Sequence, residues 1–165
     1  MKRILIVLAF VPFGLFAQTS IDICDLHSTV YAYMSTPATT TTTDAATYYY
    51  LQGTFTNETM KNFDVVSDTL TYQGLKGCGL LLFTGTFKAD TNDTEITVCV
   101  KKNGVVETNS EMTMLIESAN KSIGAVAIVD NLCLNPSDRI SLWIKSDKAG
   151  AVITPVKVNT TIWVR

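Results

Sequence analysis

The stretch Ile96 to Val106, ITVCVKKNGVV, leaves the chain little choice of local structure. Ile96, Val98 and Val100 share one phase of a two-residue alternation, and Thr97, Cys99 and Lys101 share the other. That is the pattern of a strand with one buried face. β-Branched residues dominate the run, which suits a pleated surface better than a helix. Asn103-Gly104 follows at once. Both residue types tolerate positive φ, which a type I′ turn requires at its two central positions, and that turn matches the twist of the strands it joins. Asn103 and Gly104 are therefore the predicted hairpin turn, with the return strand starting at Val105.

The same reading extends along the chain. Short strands are expected at Ser28 to Met34, Tyr48 to Phe55, part of Asn57 to Asp68, and Leu70 to Tyr72. Longer ones follow at Cys78 to Lys88, Thr94 to Lys102, Val105 to Glu117, Ser122 to Leu134, Arg139 to Lys145 and Pro155 to Val164. Turn chemistry separates them at Asp90 to Asp93, Asn135-Pro136-Ser137-Asp138 and Asp147 to Gly150. Ser35 to Thr47 is Thr-rich and low in complexity, and is read as an exposed extended loop. Many strands, turns between them and almost no helical periodicity give an all-β sandwich or barrel. At 165 residues the chain has one domain's worth of core.

Met1 to Gln18 has the plan of a secretory signal peptide: Lys2 and Arg3, then the apolar Ile4 to Val11, then Pro12 and Gly14, then Ala17. Its apolar run is too short for a membrane span, and no later stretch is long enough for one, so no membrane insertion is expected of the mature form. Loss of Lys2 and Arg3 takes the formal charge from −2 to −4. With no basic stripe, nucleic acid is not an expected partner. Cys24, Cys78, Cys99 and Cys133 remain after cleavage. An even count in an exported protein suggests disulfides, and without a Cys-x-x-Cys pair a zinc site is not expected.

Two kinds of strand are present. Ile140, Leu142 and Ile144 alternate with Ser141, Trp143 and Lys145, and Ile162 and Val164 with Thr161 and Trp163. By contrast, Leu80 to Phe83 and Ile123 to Val129 are apolar in both phases. A sheet in a sandwich normally buries one face and wets the other. A strand apolar on both needs a second cover, either another subunit or the loop Ser35 to Thr47 folded over it.

No catalytic apparatus is expected. His27 is the only histidine and there is no Gly-x-Ser-x-Gly elbow. Asp64 and Asp68 lie in polar loop sequence without an apolar pocket and are read as solvated loop charges. Asp90 to Glu95 gathers oxygen ligands but lacks the glycine and spacing of a calcium loop, and is read as a plain turn. No cofactor or metal is expected. Three glycosylation-type triplets, at Asn57, Asn92 and Asn159, are discounted because Thr-rich strands generate them by chance. Tyr31, Tyr33, Tyr48 to Tyr50, Trp143 and Trp163 suit stacking on sugars or lining a subunit seam.

The run Leu70-Thr71-Tyr72-x-Gly74, the strand Cys78 to Phe87, Val98-x-Val100-Lys101-Lys102-Asn103-Gly104 and Leu132-x-Leu134-x-x-x-Asp138-x-Ile140-x-Leu142 together resemble the C1q/TNF-like jelly roll, in the versions found in bacterial and phage structural proteins. The resemblance covers about Tyr48 to Val164. Family members usually have Gly-Asp where this chain has Ser137-Asp138, which leaves the type of that turn open. The resemblance implies a two-sheet antiparallel sandwich that forms compact homotrimers and serves attachment or recognition of a surface glycan or receptor. A purely structural decoration subunit is the alternative, and a small secreted hydrolase a third. Location would be secreted or cell-surface, or on a virion. With the leader (1–18) and the N-terminal strand and Thr-rich loop (19–47) read from the sequence itself, the expected organisation adds the jelly roll (48–165), with 19–165 one globular unit. The resemblance also implies that the Cys78 and Ser122 strands are antiparallel neighbours by the three-fold axis. That pairs Cys78 with Cys133 as a disulfide and gives Leu81, Phe83, Val126, Ile128 and Trp163 as the oligomer interface. Cys24 and Cys99 stay unassigned.

Overall fold

The computed structural model describes residues 28–66, 68–107 and 109–165. The leader, Cys24 and His27 lie outside the described residues. Thirteen strands run through the described residues: β1 (Ser28–Pro37), β2 (Thr40–Thr42), β3 (Tyr49–Tyr50), β4 (Gly53–Lys61), β5 (Phe63–Val66), β6 (Thr69–Tyr72), β7 (Gly77–Ala89), β8 (Thr94–Lys102), β9 (Val105–Val106), β10 (Met112–Ile116), β11 (Ile123–Leu134), β12 (Arg139–Ser146) and β13 (Ala151–Val164). One sheet has the order β11-β7-β13-β1-β4, with β2 also on β13. The other has the order β10-β8-β12-β6-β5, with β3 also on β12 and β9 on β8. Every pairing is antiparallel. This is the two-sheet jelly roll, with β1 and β13 lying side by side in the middle of one sheet.

The core fills the space between the sheets, and the two-residue alternation decides which side chains enter it. β8 supplies Ile96, Val98 and Val100; β12 supplies Ile140, Leu142 and Ile144; β7 supplies Leu81, Phe83 and Phe87 from the opposite sheet. Phe83 and Phe87 pack ring to ring with centroids 6.3 Å apart. The hairpin forms as its sequence dictates. Asn103 takes φ 51° and Gly104 φ 84°, with Lys102 opposite Val105. The next turn answers the open question at Ser137. It adopts φ 73°, the left-handed region that glycine fills without strain, while its N–H donates to Tyr72 O at 2.7 Å.

Four expectations are corrected. The strand expected at Tyr48 to Phe55 is split: Tyr49–Tyr50 joins β12 in one sheet, and Gly53 onward joins β1 in the other. The single return strand Val105 to Glu117 is two strands, β9 and β10. Glu107 N–H donates to Val100 O and Ser110 Oγ accepts from Val100 N–H, so polar groups take over the β8 edge where the strand breaks. The Thr-rich loop is not all loop. Thr40 to Thr42 pairs with β13, and Thr42, fully buried, donates its hydroxyl to Lys148 O and Ala151 O at 3.1 Å. The last strand begins at Ala151 rather than Pro155. Pro155 is carried at a β-bulge between it and Lys157, the kind of site where a residue without an N–H does not interrupt the ladder.

Candidate functional site

The outer face of the β11-β7-β13-β1-β4 sheet is where the strands apolar in both phases come together. Register sets Ile128 of β11 opposite Leu82 of β7, Leu82 opposite Thr161 of β13, and Thr161 opposite Tyr31 of β1. One step along, Leu80 faces Trp163. Val126, Ile128 and Trp163 remain 50%, 53% and 42% exposed, so the described residues, the Thr-rich segment included, leave them only half covered. Leu81 and Phe83 do not belong to this surface. They turn inward and are buried by their own chain, which corrects the expectation that they face outward; Leu80 and Leu82 hold the outward phase instead. The sequence carries the signal that settles this. Thr84, Thr86 and Lys88 mark the outward phase of β7, and counting back from them by twos reaches Leu82 and Leu80.

Cys78 and Cys133 sit directly opposite each other in the β7–β11 register and form a disulfide across 55 residues of sequence. The bridge lies at one end of the apolar band. A cleft of about 580 Å³ opens beside it, between Leu80, Asn131, Trp163 and Arg165. Between the bridge and Ile128, β11 bulges at Val129 to Leu132, with Asn131 at φ 59°. β11 is the edge of its sheet, and the disulfide fastens that edge to β7 at its far end.

The outer face of the second sheet has a different chemistry. Tyr48 lies across it. The Lys101 ammonium sits 3.8 Å from the Trp143 ring centroid and 5.1 Å from that of Tyr48, and Lys145 is 4.6 Å from the Tyr48 ring. These are cation–π distances. The Tyr48 hydroxyl donates to Glu111, which also pairs with Lys145 at 3.4 Å. Burial, with the Glu111 carboxylate beside it, raises the Tyr48 phenol, and the Tyr48 hydrogen bond holds Glu111 below the usual carboxylate range. Cys99 points to this face, opposite Trp143, and is buried there as a free thiol. Burial pushes it up to about 11, which leaves it a poor nucleophile at neutral pH.

The acidic clusters singled out in the sequence have structural employment. Asp90 Oδ1 accepts from Val152 N–H at 2.9 Å, Asn92 Oδ1 accepts from Ala119 N–H at 2.7 Å, and Thr94 Oγ1 bonds within its own turn. The Asp90 to Glu95 oxygens thus tie strand ends together. Asp64 accepts from Gln73 at 2.7 Å. Among the described residues, no group of three or more His, Cys, Asp or Glu side chains is placed to hold a metal.

Neither a protein-family model nor a curated protein matches the chain. Solved structures match it in shape. A crystal structure of murine APRIL at pH 5.0 superposes with a TM-score of 0.54 at 15% identity, covering 82% of this chain and 98% of that one. Eiger TNF from S. frugiperda does so with a TM-score of 0.53 at 9% identity, covering 85% and 91%. At such identities the likeness speaks to the fold alone, and on fold it agrees with the strand order: the chain is a two-sheet antiparallel jelly roll of the C1q/TNF-like kind.

Proposed function

We propose that this chain is an exported, non-catalytic recognition module that assembles as a homotrimer through the outer face of the β11-β7-β13-β1-β4 sheet and leaves the other sheet free for attachment to a glycan or receptor. The observation that carries the reading is the half-exposed patch of Val126, Ile128 and Trp163, with Leu80 and Leu82 on the strand between them, on a single sheet face. Apolar patches of this kind on a monomer commonly mark an interaction surface, and the outer patch is matched by its own symmetry mates in a closed ring. Three copies is the stoichiometry that the family resemblance implies. The Cys78–Cys133 bridge supports an oxidising destination.

Fully burying an Ile side chain is worth about 1.5–3 kcal/mol, so completing the burial of a half-exposed Ile128 contributes roughly 1 kcal/mol per copy. A lysine at that position would also lose its hydration. Multi-angle light scattering of the exported protein should therefore give three times the monomer mass, which is 18.0 kDa for the full chain. Ile128→Lys should give monomer with an unchanged far-UV circular dichroism spectrum. A wild-type monomer at every concentration tried would sink the assembly reading; a clean dimer would sink its stoichiometry.

A further inference from the structure

The outward face of the β10-β8-β12-β6-β5 sheet carries a groove of about 380 Å³ between the Tyr50–Trp143 pair and the Asn103-Gly104 turn, with Ser141 in its floor and Arg139 on its rim. That volume lies in the range of small-ligand sites. We propose that this groove binds an acidic saccharide, with the sugar ring laid against Trp143 and Tyr50 and its carboxylate held by Arg139. The inference rests on the reading of the chain as a recognition module, but not on its oligomeric state.

The walls are fixed before any ligand arrives. Tyr50 and Trp143 meet edge to face with centroids 5.2 Å apart. The Tyr50 hydroxyl donates to Asp68 O at 3.0 Å and shares a 2.6 Å bond with Thr69 Oγ1. The Trp143 indole N–H donates to Ser141 Oγ at 2.9 Å. The turn is equally pinned: Asn103 Nδ2 donates to Asp138 Oδ1 at 2.7 Å, and Asn103 Oδ1 accepts from Arg139 N–H at 2.9 Å. Rigid aromatic walls cost little entropy on binding. Ser141 Oγ accepts from Trp143, and its own proton is left to donate to a ligand hydroxyl.

Charge selects the ligand. In a chain of net charge −2, Lys102, Lys121 and Lys145 each pair with a glutamate. Arg139 and Lys101 have no carboxylate within ion-pair distance among the described residues, and both stand on this face, with Lys101 against Trp143. Asp138 is already engaged by Asn103 and Asn135. An arginine fork suits a carboxylate, and aromatic faces suit the C–H side of a pyranose. None of the exposed large apolar side chains lines this groove, which disfavours an apolar peptide.

The test is a binding titration of the exported protein, read by isothermal titration calorimetry, with polygalacturonate, alginate, hyaluronan and sialyllactose. The controls are neutral galactan, lactose and poly-glutamate. At least one acidic saccharide should bind and its neutral counterpart at least ten-fold more weakly. Arg139→Ala should lose about ten-fold, Arg139→Lys less, and Trp143→Ala should abolish binding, while Trp163→Ala leaves it unchanged. Equal binding of neutral sugars or of poly-glutamate overturns the proposal, as does loss on Trp163→Ala with Arg139→Ala unaffected, or binding of none of the four. A trimer that binds none of them defeats this inference alone; a monomer that binds one in the stated way defeats only the assembly.

Discussion

Removing the Cys78–Cys133 bridge should cost the protein about 4 kcal/mol, and chiefly through the unfolded chain. The two cysteines are 55 residues apart, and closing a loop of that length removes enough conformational freedom from the denatured ensemble to contribute roughly 4 kcal/mol. In the folded state they are already neighbours in the β7–β11 ladder, so the strands stay paired without the bond. For a domain of this size each kcal/mol moves the melting temperature by about 2–4 °C, so Cys78→Ser/Cys133→Ser should melt roughly 10 °C lower. Self-association would make stability depend on concentration, so the comparison belongs in the Ile128→Lys background. Urea unfolding followed by circular dichroism is the assay. The freed chain exposes more surface when it unfolds, so the m-value should rise along with the loss of stability. Reduction of the intact protein should reproduce both changes. A melting shift under about 2 °C would refute the reasoning. So would a large loss at constant m with faster amide exchange throughout Ile123–Leu134, because the bond would then be holding the folded edge strand in place.

Ser137→Gly should stabilise the chain by about 1 kcal/mol, because serine at φ 73° bears a cost that glycine escapes; a loss of stability in urea would count against it. Cys99 should resist iodoacetamide at pH 8 while the protein is folded, since burial holds its pKa near 11. Tyr48→Ala should open it to labelling, read by mass mapping of the Cys99 peptide, and labelling of wild-type Cys99 at the rate of a free thiol would disprove this. Asp138 is pulled upward by burial, but hydrogen bonds from Asn135 N–H and Asn103 and the nearby Lys102 charge outweigh that and hold it below the ordinary carboxylate value. A depressed carboxylate lends stability that is fully present above its unfolded pKa and is lost as pH falls through the folded one. Asp138→Asn should therefore cost about 2 kcal/mol at pH 7, and the gap to wild type should close in acid; a gap independent of pH would show that the carboxylate's charge is not what matters.

Much of this architecture was legible because the two-residue alternation is a local property. Thr94 to Lys102 begins and ends where its sequence says, and Asn103-Gly104 turns as its φ demands. What failed was phase and polarity. Leu80 to Phe83 offers no contrast within itself, so which residues face out is fixed only by the polar Thr84, Thr86 and Lys88 further along the same strand. The Thr-rich segment misled in the opposite way. A threonine hydroxyl can replace a water at a buried strand end, as Thr40 does in accepting from Gln52 N–H at 3.1 Å, so polarity there did not mean exposure. The groove on the second sheet was the least legible feature. Tyr50, Ser141, Arg139 and Asn103 come from three separate stretches, and only the pairing of β12 with β3 and β8 brings them together.

The same pairing gives the two outer faces different chemistry. Each sheet packs one side on a shared core, so the chemistry of the two outer sides is free to diverge. At one end of β13 and β7 it is apolar, with Trp163 beside Leu80. On β12 and β8 the same period of two sets Trp143 beside Cys99 and brings Lys101 against its ring. A tryptophan with leucine for company gains by excluding water, and a copy of the same face can do that. A tryptophan held under an ammonium and hydrogen-bonded to Ser141 gains little from a greasy neighbour, because covering it would strip water from Lys101 and Arg139 without supplying a carboxylate. The two tryptophans should therefore separate in experiment: Trp163→Ala should shift the assembly equilibrium and leave saccharide binding alone, and Trp143→Ala should do the reverse. If both variants alter both properties, the two faces are not independent, and the division of labour argued from their chemistry fails.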